Sequence, residues 1–367
     1  MSHTMGLALL GCGTAAPRQS ITQQEAAELA QTFSGLPQAE AQRLVTLYQR
    51  TKIQTRGSVL LEAPDGTGSR QSFFPPAEDR ADRGPSTGQR MQRYAQEVMP
   101  LALAASQQAL AAARLTGAQI NHVVTVSCTG FAAPGFDIML MKALQLAPTV
   151  SRTHVGFMGC HGALNGLRVA SALSQAHPGA RILLCAVELC TLHFSYGGEP
   201  ERVVANALFA DGAAALVVGS AANESGNDWR LAAAGSCLFP DSEDAMTWRI
   251  GDNGFEMTLS PRVPELITTH LPSWLAAWLN QQGMTIPQVR SWAIHPGGPR
   301  ILTAATTALG LSQDATAVSR EVLAECGNMS SPTILFILDR LRRRSAPRPR
   351  VAMAFGPGLS VEAALFL

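Results

Sequence analysis

The chain has 367 residues, a net charge of +1, 46% hydrophobic residues and only 15% charged ones. That length predicts about two structural units, and the apolar share predicts a large buried surface, as in a layered α/β protein, an oligomer or both. The charge balance excludes partners won by net charge: no nucleic acid and no anionic membrane surface. The opening MSHTMGLALLGCG lacks a basic n-region, its apolar run is too short for a signal peptide, and no segment offers the about 18 apolar residues of a membrane span. Seven cysteines, at 12, 128, 160, 185, 190, 237 and 326, show no CxxC pair. Neither a disulfide framework nor a metal site is expected, and the reading is a soluble protein of a reducing compartment, the cytoplasm.

Thr22-Gln23-Gln24-Glu25 reads as a capping box that opens a helix toward Gln49. Residues 62–88, rich in Gly, Pro, Ser and charge, read as a surface loop, and a long helix follows from Thr87 to Leu115 with a kink expected at Pro100. An alternation then sets in: strand His122–Cys128, helix Phe136–Leu146, strand His154–Met158, helix Gly162–Gln175, strand Arg181–Val187. Such alternation implies a parallel sheet covered on both faces. The last third runs similarly, with a strand ending at Trp292–His295, a helix over Pro299–Leu309, a helix starting near Ser331-Pro332, and strands at Arg350–Phe355 and Val361–Phe366. The basic stretch RLRRRSAPRPR (340–350) reads as a solvated helix end and loop. Cys160-helix-strand and Asn328-helix-strand look like one unit used twice. On that reading Cys160 and Asn328 occupy equivalent strand-to-helix turns that face each other across a pseudo-twofold axis.

Three residues carry potential chemistry. Cys160 lies between glycines in GFMGCHGAL (156–164). A buried packing cysteine fits that context, and so does a nucleophile on a tight turn, whose sulfur the amides of the following helix would hold as thiolate near neutral pH. His295 in WAIHPGGP ends an apolar strand before a proline, where open α/β sheets place their ligands; a satisfied turn histidine fits as well. Asn328 in CGNMSSPT has a common alternative as a helix-capping or turn asparagine. The glycines of AFGPGL (354–359) shape backbone for a close approach, or for a simple turn between strands.

Taken jointly, GC before a helix at 159–160, ALFADGAAALVVG (207–219), WAIHPGGP (292–299), GNMSSPT (327–333) and FGPGLSVE (355–362) resemble a type III polyketide synthase of bacterial type. This is the chalcone-synthase-like group of the thiolase superfamily. The resemblance implies an α/β fold, the thiolase-like αβαβα layered sandwich with two pseudo-equivalent halves, here divided as 1–225 and 226–367. It implies Cys160 as the acyl-carrying nucleophile, with His295 as imidazolium and Asn328 completing the triad. Phe209 matches a gating phenylalanine between CoA tunnel and cavity, and Met257 falls where plant members have a second one. Cys128, Cys190, His193, Trp248 and Ser330 fall at cavity-lining positions, Trp248 where plant chalcone synthases have glycine. Arg50, Lys52 and Arg56 lie in the segment that binds CoA phosphates in the family; a solvated helix face explains them equally well. His161 is expected outside the reacting space.

The implied activity is iterative decarboxylative condensation of malonyl-CoA onto a starter acyl-CoA held on Cys160, then cyclisation to a pyrone or phenolic ring of the resorcinol or phloroglucinol type. No cofactor and no acyl carrier protein is implied. The implied assembly is a homodimer, in which Ala133 stands where plant relatives send a methionine into the partner's cavity. The alternatives are a single-condensation enzyme resembling ketoacyl synthase III, a cysteine hydrolase, and an inactive scaffold subunit.

Overall fold

The computed structural model describes residues 6–34, 36–63, 70–220 and 229–367. In the N-terminal half the elements are, in order, β1 (Leu7–Ala15), β2 (Ser20–Thr22), α1 (Gln23–Ser34), α2 (Gln38–Arg50), β3 (Thr55–Gly57), α3 (Thr87–Ala113), β4 (His122–Ser127), α4 (Phe136–Ala143), β5 (Ser151–Gly156), α5 (Gly162–Ala176), β6 (Arg181–Leu189), α6 (Pro200–Leu208) and β7 (Asp211–Ser220). The C-terminal half continues with β8 (Arg230–Leu238), β9 (Met246–Gly251), β10 (Gly254–Leu259), α7 (Val263–Gln281), β11 (Ser291–Ile294), α8 (Pro299–Ala308), α9 (Ala317–Cys326), α10 (Pro332–Arg343), β12 (Arg350–Gly356) and β13 (Ser360–Phe366).

The sheet runs β11-β12-β13-β8-β1-β7-β6-β4-β5. Its two parts have one topology. In each, two parallel strands (β4 with β6, β11 with β12) lead into an antiparallel pair and end on the half's first strand. The halves join where β1 meets β8, with Leu7 paired to Leu231 and Ala8 to Arg230, and Leu9 N donating to Trp229 O. The third parallel strand, β5, has no full counterpart; in its place the second half has a single bridge between Asn328 and Phe209.

Side-chain alternation along the strands builds the layers. On β7, Ala213, Ala215 and Val217 face the core under α3, while Ala214, Leu216 and Val218 face a second core filled by α5 and α10. On β12, Ala352 and Ala354 face that same central core, while Val351, Met353 and Phe355 face a third one under α7 and α8. The order is helix, sheet, helix, sheet, helix, with α5 and α10 in the middle. The two central helices must begin at the turns carrying Cys160 and Asn328, which sets those turns side by side.

The capping box at Thr22 is present: Glu25 N donates to Thr22 Oγ1 (3.2 Å) and Thr22 N to Glu25 Oε2 (2.7 Å). The helix it opens stops at Ser34, and α2 restarts behind Pro37, whose extended backbone breaks what the sequence suggests as one helix. Helix α3 runs through Pro100 without a break in assignment and is capped by a box at Ser86 and Gln89. Part of the 62–88 loop, residues 64–69, lies outside the described residues.

Candidate active site

Cys160 sits where β5 hands over to α5. The chain turns through Phe157 (φ +59°) and Gly159 (φ +71°), then a single 3-10 turn, Gly159–His161, before the helix. A Cβ on Gly159 would lie 2.5 Å from Pro357 Cδ, so glycine serves both the left-handed backbone and the close approach of the 355–360 loop. The thiol is buried at 6% exposure. Burial pushes it up to about 11; side-chain hydrogen bonds from Ser330 and Asn328 pull down, and the charge of Glu188 adds to the rise. Burial thus works against the thiolate that the helix amides would favour.

Asn328 occupies the corresponding turn of the second half, between Gly327 (φ +72°) and Ser330 (φ +55°). Its backbone bridges to the segment around Phe209: Asn328 N donates to Leu208 O and Ala210 N donates to Asn328 O, both at 2.9 Å. Its side-chain oxygen accepts from Ser330 N (2.8 Å), and Nδ2 reaches Gly297 O at 3.5 Å. That places Asn328 against the HPGG turn. His295 continues β11 by one residue, its N–H donating to Met353 O (2.8 Å). Burial pulls its imidazole down to about 3, with His161 adding to the fall, and both ring nitrogens are buried without a partner among the described residues. Burial thus disfavours the charged form of each partner, the thiolate and the imidazolium. An imidazole with two unsatisfied nitrogens in a buried site is costly, on the order of 1–3 kcal/mol per group, and is poised to bond whatever arrives.

Beneath the thiol lies a carboxyl that sequence reading missed. Glu188, at the end of β6 and fully buried, accepts from Ser331 Oγ (2.6 Å), Thr129 Oγ1 (2.8 Å) and Cys128 N (2.9 Å). Burial nevertheless raises its pKa. The signal was an acidic residue inside the apolar run RILLCAVELC. A second missed group is Arg90 of α3, fully buried, which donates to the carbonyls of Pro85, Leu192 and Phe194 at 2.8 Å each and so fixes the turn carrying Cys190 and His193.

Cys128, Cys190, Phe209, Trp248, Met257 and Ser330 line a chamber of about 20 Å³ together with Cys160 and Pro357. Trp248 fills much of this region: its Nε1 donates to Cys128 O (2.7 Å), and its ring meets His193 and Phe255 edge-on. Cys190, Phe209, Trp248 and Met257 also line an outer cavity of about 280 Å³ walled by Phe33, Leu60, Phe74 and Phe194. These four are the partition between the two spaces. His193 lines only the outer one; its Nε2 donates to Thr129 O (2.7 Å) while Nδ1 accepts from Phe255 N (2.9 Å), which defines a neutral tautomer. Of the three basic residues, Arg50 and Lys52 are exposed. Arg56 is not: it is 8% exposed, and its Nη1 donates to Asn206 O (2.6 Å) and Phe209 O (2.8 Å). It holds the backbone of Asn206 and Phe209 rather than presenting a free guanidinium.

A five-layer sandwich that buries a cysteine, a histidine and an asparagine between two like halves defines the class, a thiolase-fold acyltransferase. Comparison with known proteins narrows it. The family profile for chalcone and stilbene synthases, N-terminal domain, matches residues 2–222, and that for the C-terminal domain matches residues 230–367. The chain is 34% identical to an α-pyrone synthesis polyketide synthase-like protein of Mycobacterium tuberculosis, over 99% of this chain and 95% of the other. It is 33% identical to 1,3,6,8-tetrahydroxynaphthalene synthase of Streptomyces peucetius, over 98% and 93%. Among solved structures, a polyketide synthase of the brown alga Ectocarpus siliculosus superposes with a TM-score of 0.92 at 30% identity, covering 98% of each chain. The chain belongs to the chalcone and stilbene synthase family and is an iterative type III polyketide synthase.

Proposed function

We propose that Cys160 carries the growing acyl chain, that the substrates are a starter acyl-CoA and malonyl-CoA, and that His295 and Asn328 act on both. The observation that carries this reading is a small chamber behind Phe209, Trp248 and Met257 that Cys160 shares with Ser330, whose N–H donates to Asn328 Oδ1 on the adjoining turn. Because the thiol rests protonated, loading needs a base: as sulfur attacks the starter's thioester carbonyl, His295 takes the thiol proton and passes it to the departing CoA sulfur. One thioester replaces another, so the step is near balance in free energy. Malonyl-CoA then loses carbon dioxide, and the electron pair of the broken C–C bond moves into an enolate. The Asn328 amide and a His295 N–H stabilise its oxygen, each donor worth roughly 3–4 kcal/mol. The enolate carbon attacks the acyl carbonyl, the Cys160 thiolate leaves, and the lengthened chain returns to sulfur for the next round. Decarboxylation supplies the carbanion, so neither cofactor nor acyl carrier protein is required. Ring closure to a pyrone or phenol ends the sequence.

Arg50 and Lys52, exposed, remain the candidates for CoA phosphates. We propose a homodimer built on the β5 edge, where the strand's residues are exposed and Phe131, Met139 and Met158 present 42%, 45% and 37% of their surface beside Ala133. A molar mass twice the chain's by light scattering is the expected result. The enzyme is placed in the cytoplasm, where its seven free cysteines stay reduced, a point read by cell fractionation. No helix among the described residues is long and apolar enough to cross a membrane.

Intact-protein mass spectrometry after incubation with acyl-CoA tests the central claim. The wild type gains one acyl group and Cys160→Ala gains none. Acylation or polyketide formation by Cys160→Ala overturns it. Activity only with malonyl groups on a carrier protein would favour the single-condensation alternative.

A further inference from the structure

His161 follows the nucleophile and is 3% exposed, yet it does not line the chamber. Its ring points across to the other half of the molecule. Nε2 lies 2.7 Å from Ser360 Oγ, and that hydroxyl donates onward to Pro357 O at 2.9 Å. Nδ1 lies 2.7 Å from the atom placed as Asn165 Oδ1 on α5. The loop is cut to receive this ring: a Cβ on Gly356 would stand 2.3 Å from His161 Cδ2. Pro357, in the same loop, lies against Gly159 and forms part of the chamber wall over Cys160.

Counting protons orders the chain. The Ser360 hydroxyl has one hydrogen, and it goes to Pro357 O; Ser360 Oγ therefore accepts from His161 Nε2–H. The neutral ring then offers Nδ1 as an acceptor to Asn165, whose Nδ2 is buried and otherwise without a partner among the described residues. Turning that amide so that its nitrogen faces Nδ1 satisfies both groups at once.

We propose that His161 is a specificity-positioning residue: its Nε2–H, through Ser360, clips the FGPG loop onto the nucleophile's turn and so sets the height of the Pro357 wall over the acyl chain. This rests on the reading of Cys160 as acyl carrier. Burial, the largest effect on the ring, lowers its basicity and keeps it neutral, and the facing Glu362 and Arg168 act in opposite directions.

The test uses the full-length enzyme, one acyl-CoA that it accepts, malonyl-CoA, and product masses. Gln places its Nε2 where histidine's lies, whereas Asn reaches only the Nδ1 position. His161→Asn and Ser360→Ala are expected to raise the ratio of longer to shorter polyketides at least fivefold, and His161→Gln to keep it within twofold of wild type. The ratio does not depend on how much enzyme is folded, so a merely structural residue leaves it unmoved. The double variant His161→Asn with Ser360→Ala should add nothing to either single one, since both cut one chain of bonds. An unchanged ratio in Ser360→Ala, or in His161→Asn, overturns the proposal. Acylation of Cys160, read by intact mass in the same samples, separates this outcome from a failure of the acyl-carrier reading.

Discussion

The two central turns use the same backbone device for different chemistry. Each enters its helix through a glycine in the left-handed region, Gly159 and Gly327, and each holds a non-glycine residue there too, Phe157 and Ser330. Such residues are strained, and strain of this kind concentrates at functional sites. The difference lies in what precedes the turn. The first half reaches Cys160 along six residues of paired strand, whereas the second replaces that strand with one bridge between Asn328 and Phe209. Asn328 is thereby tied to Phe209, and Cys160 is tied through Gly159 and His161 to the loop of the opposite half. The two turns occupy like positions in the two halves, but only the second is bridged to Phe209, a residue of the partition between the two cavities.

This contrast makes the roles separable by experiment. Cys160→Ala should give the largest effect, complete loss of extension, because no other group can carry the acyl chain. Asn328→Ala should be next: malonyl-CoA decarboxylation falls roughly 10²–10³-fold. Starter loading, followed as mass gain on Cys160, changes much less. Equal damage to both steps would mean that the second turn is structural for the first. The smallest effect concerns pH. With the thiol pushed up to about 11, the thiolate fraction rises about tenfold per pH unit below that value. Iodoacetamide labelling of Cys160, located by peptide mass, should therefore accelerate steadily from pH 6 to 9. A plateau beginning below pH 7 would restore the preformed ion pair and reverse the assignment of His295 as base.

The site was unevenly legible. Cys160, His295 and Asn328 stand out because glycine and proline punctuate apolar runs around them, and because the motifs resemble a known family. Strands β1, β7 and β8 gave weaker signals. Their runs LALLGCGTA, DGAAALVVGS and RLAAAGSCL are rich in alanine and glycine rather than β-branched residues; on β1 and β7, buried on both faces, small side chains let the flanking layers pack close, whereas β8 leaves alternate residues exposed. Glu188 and Arg90 were missed because their partners come from distant segments; nothing local marks a buried carboxyl that a serine 143 positions away will satisfy.

What the sequence determined alone is the list of reactive groups, the alternation that demands a covered sheet, and the two like turns, since all of these follow from local spacing and backbone preference. Tertiary structure decided their state. Burial, which no local pattern reports, disfavours the charged forms of both Cys160 and His295 and withdraws Arg56 from solvent. It also gave His161 its partner, a serine 199 residues away. Desolvation and long-range hydrogen bonding depend on which segments meet, and only the closed sandwich brings those segments together.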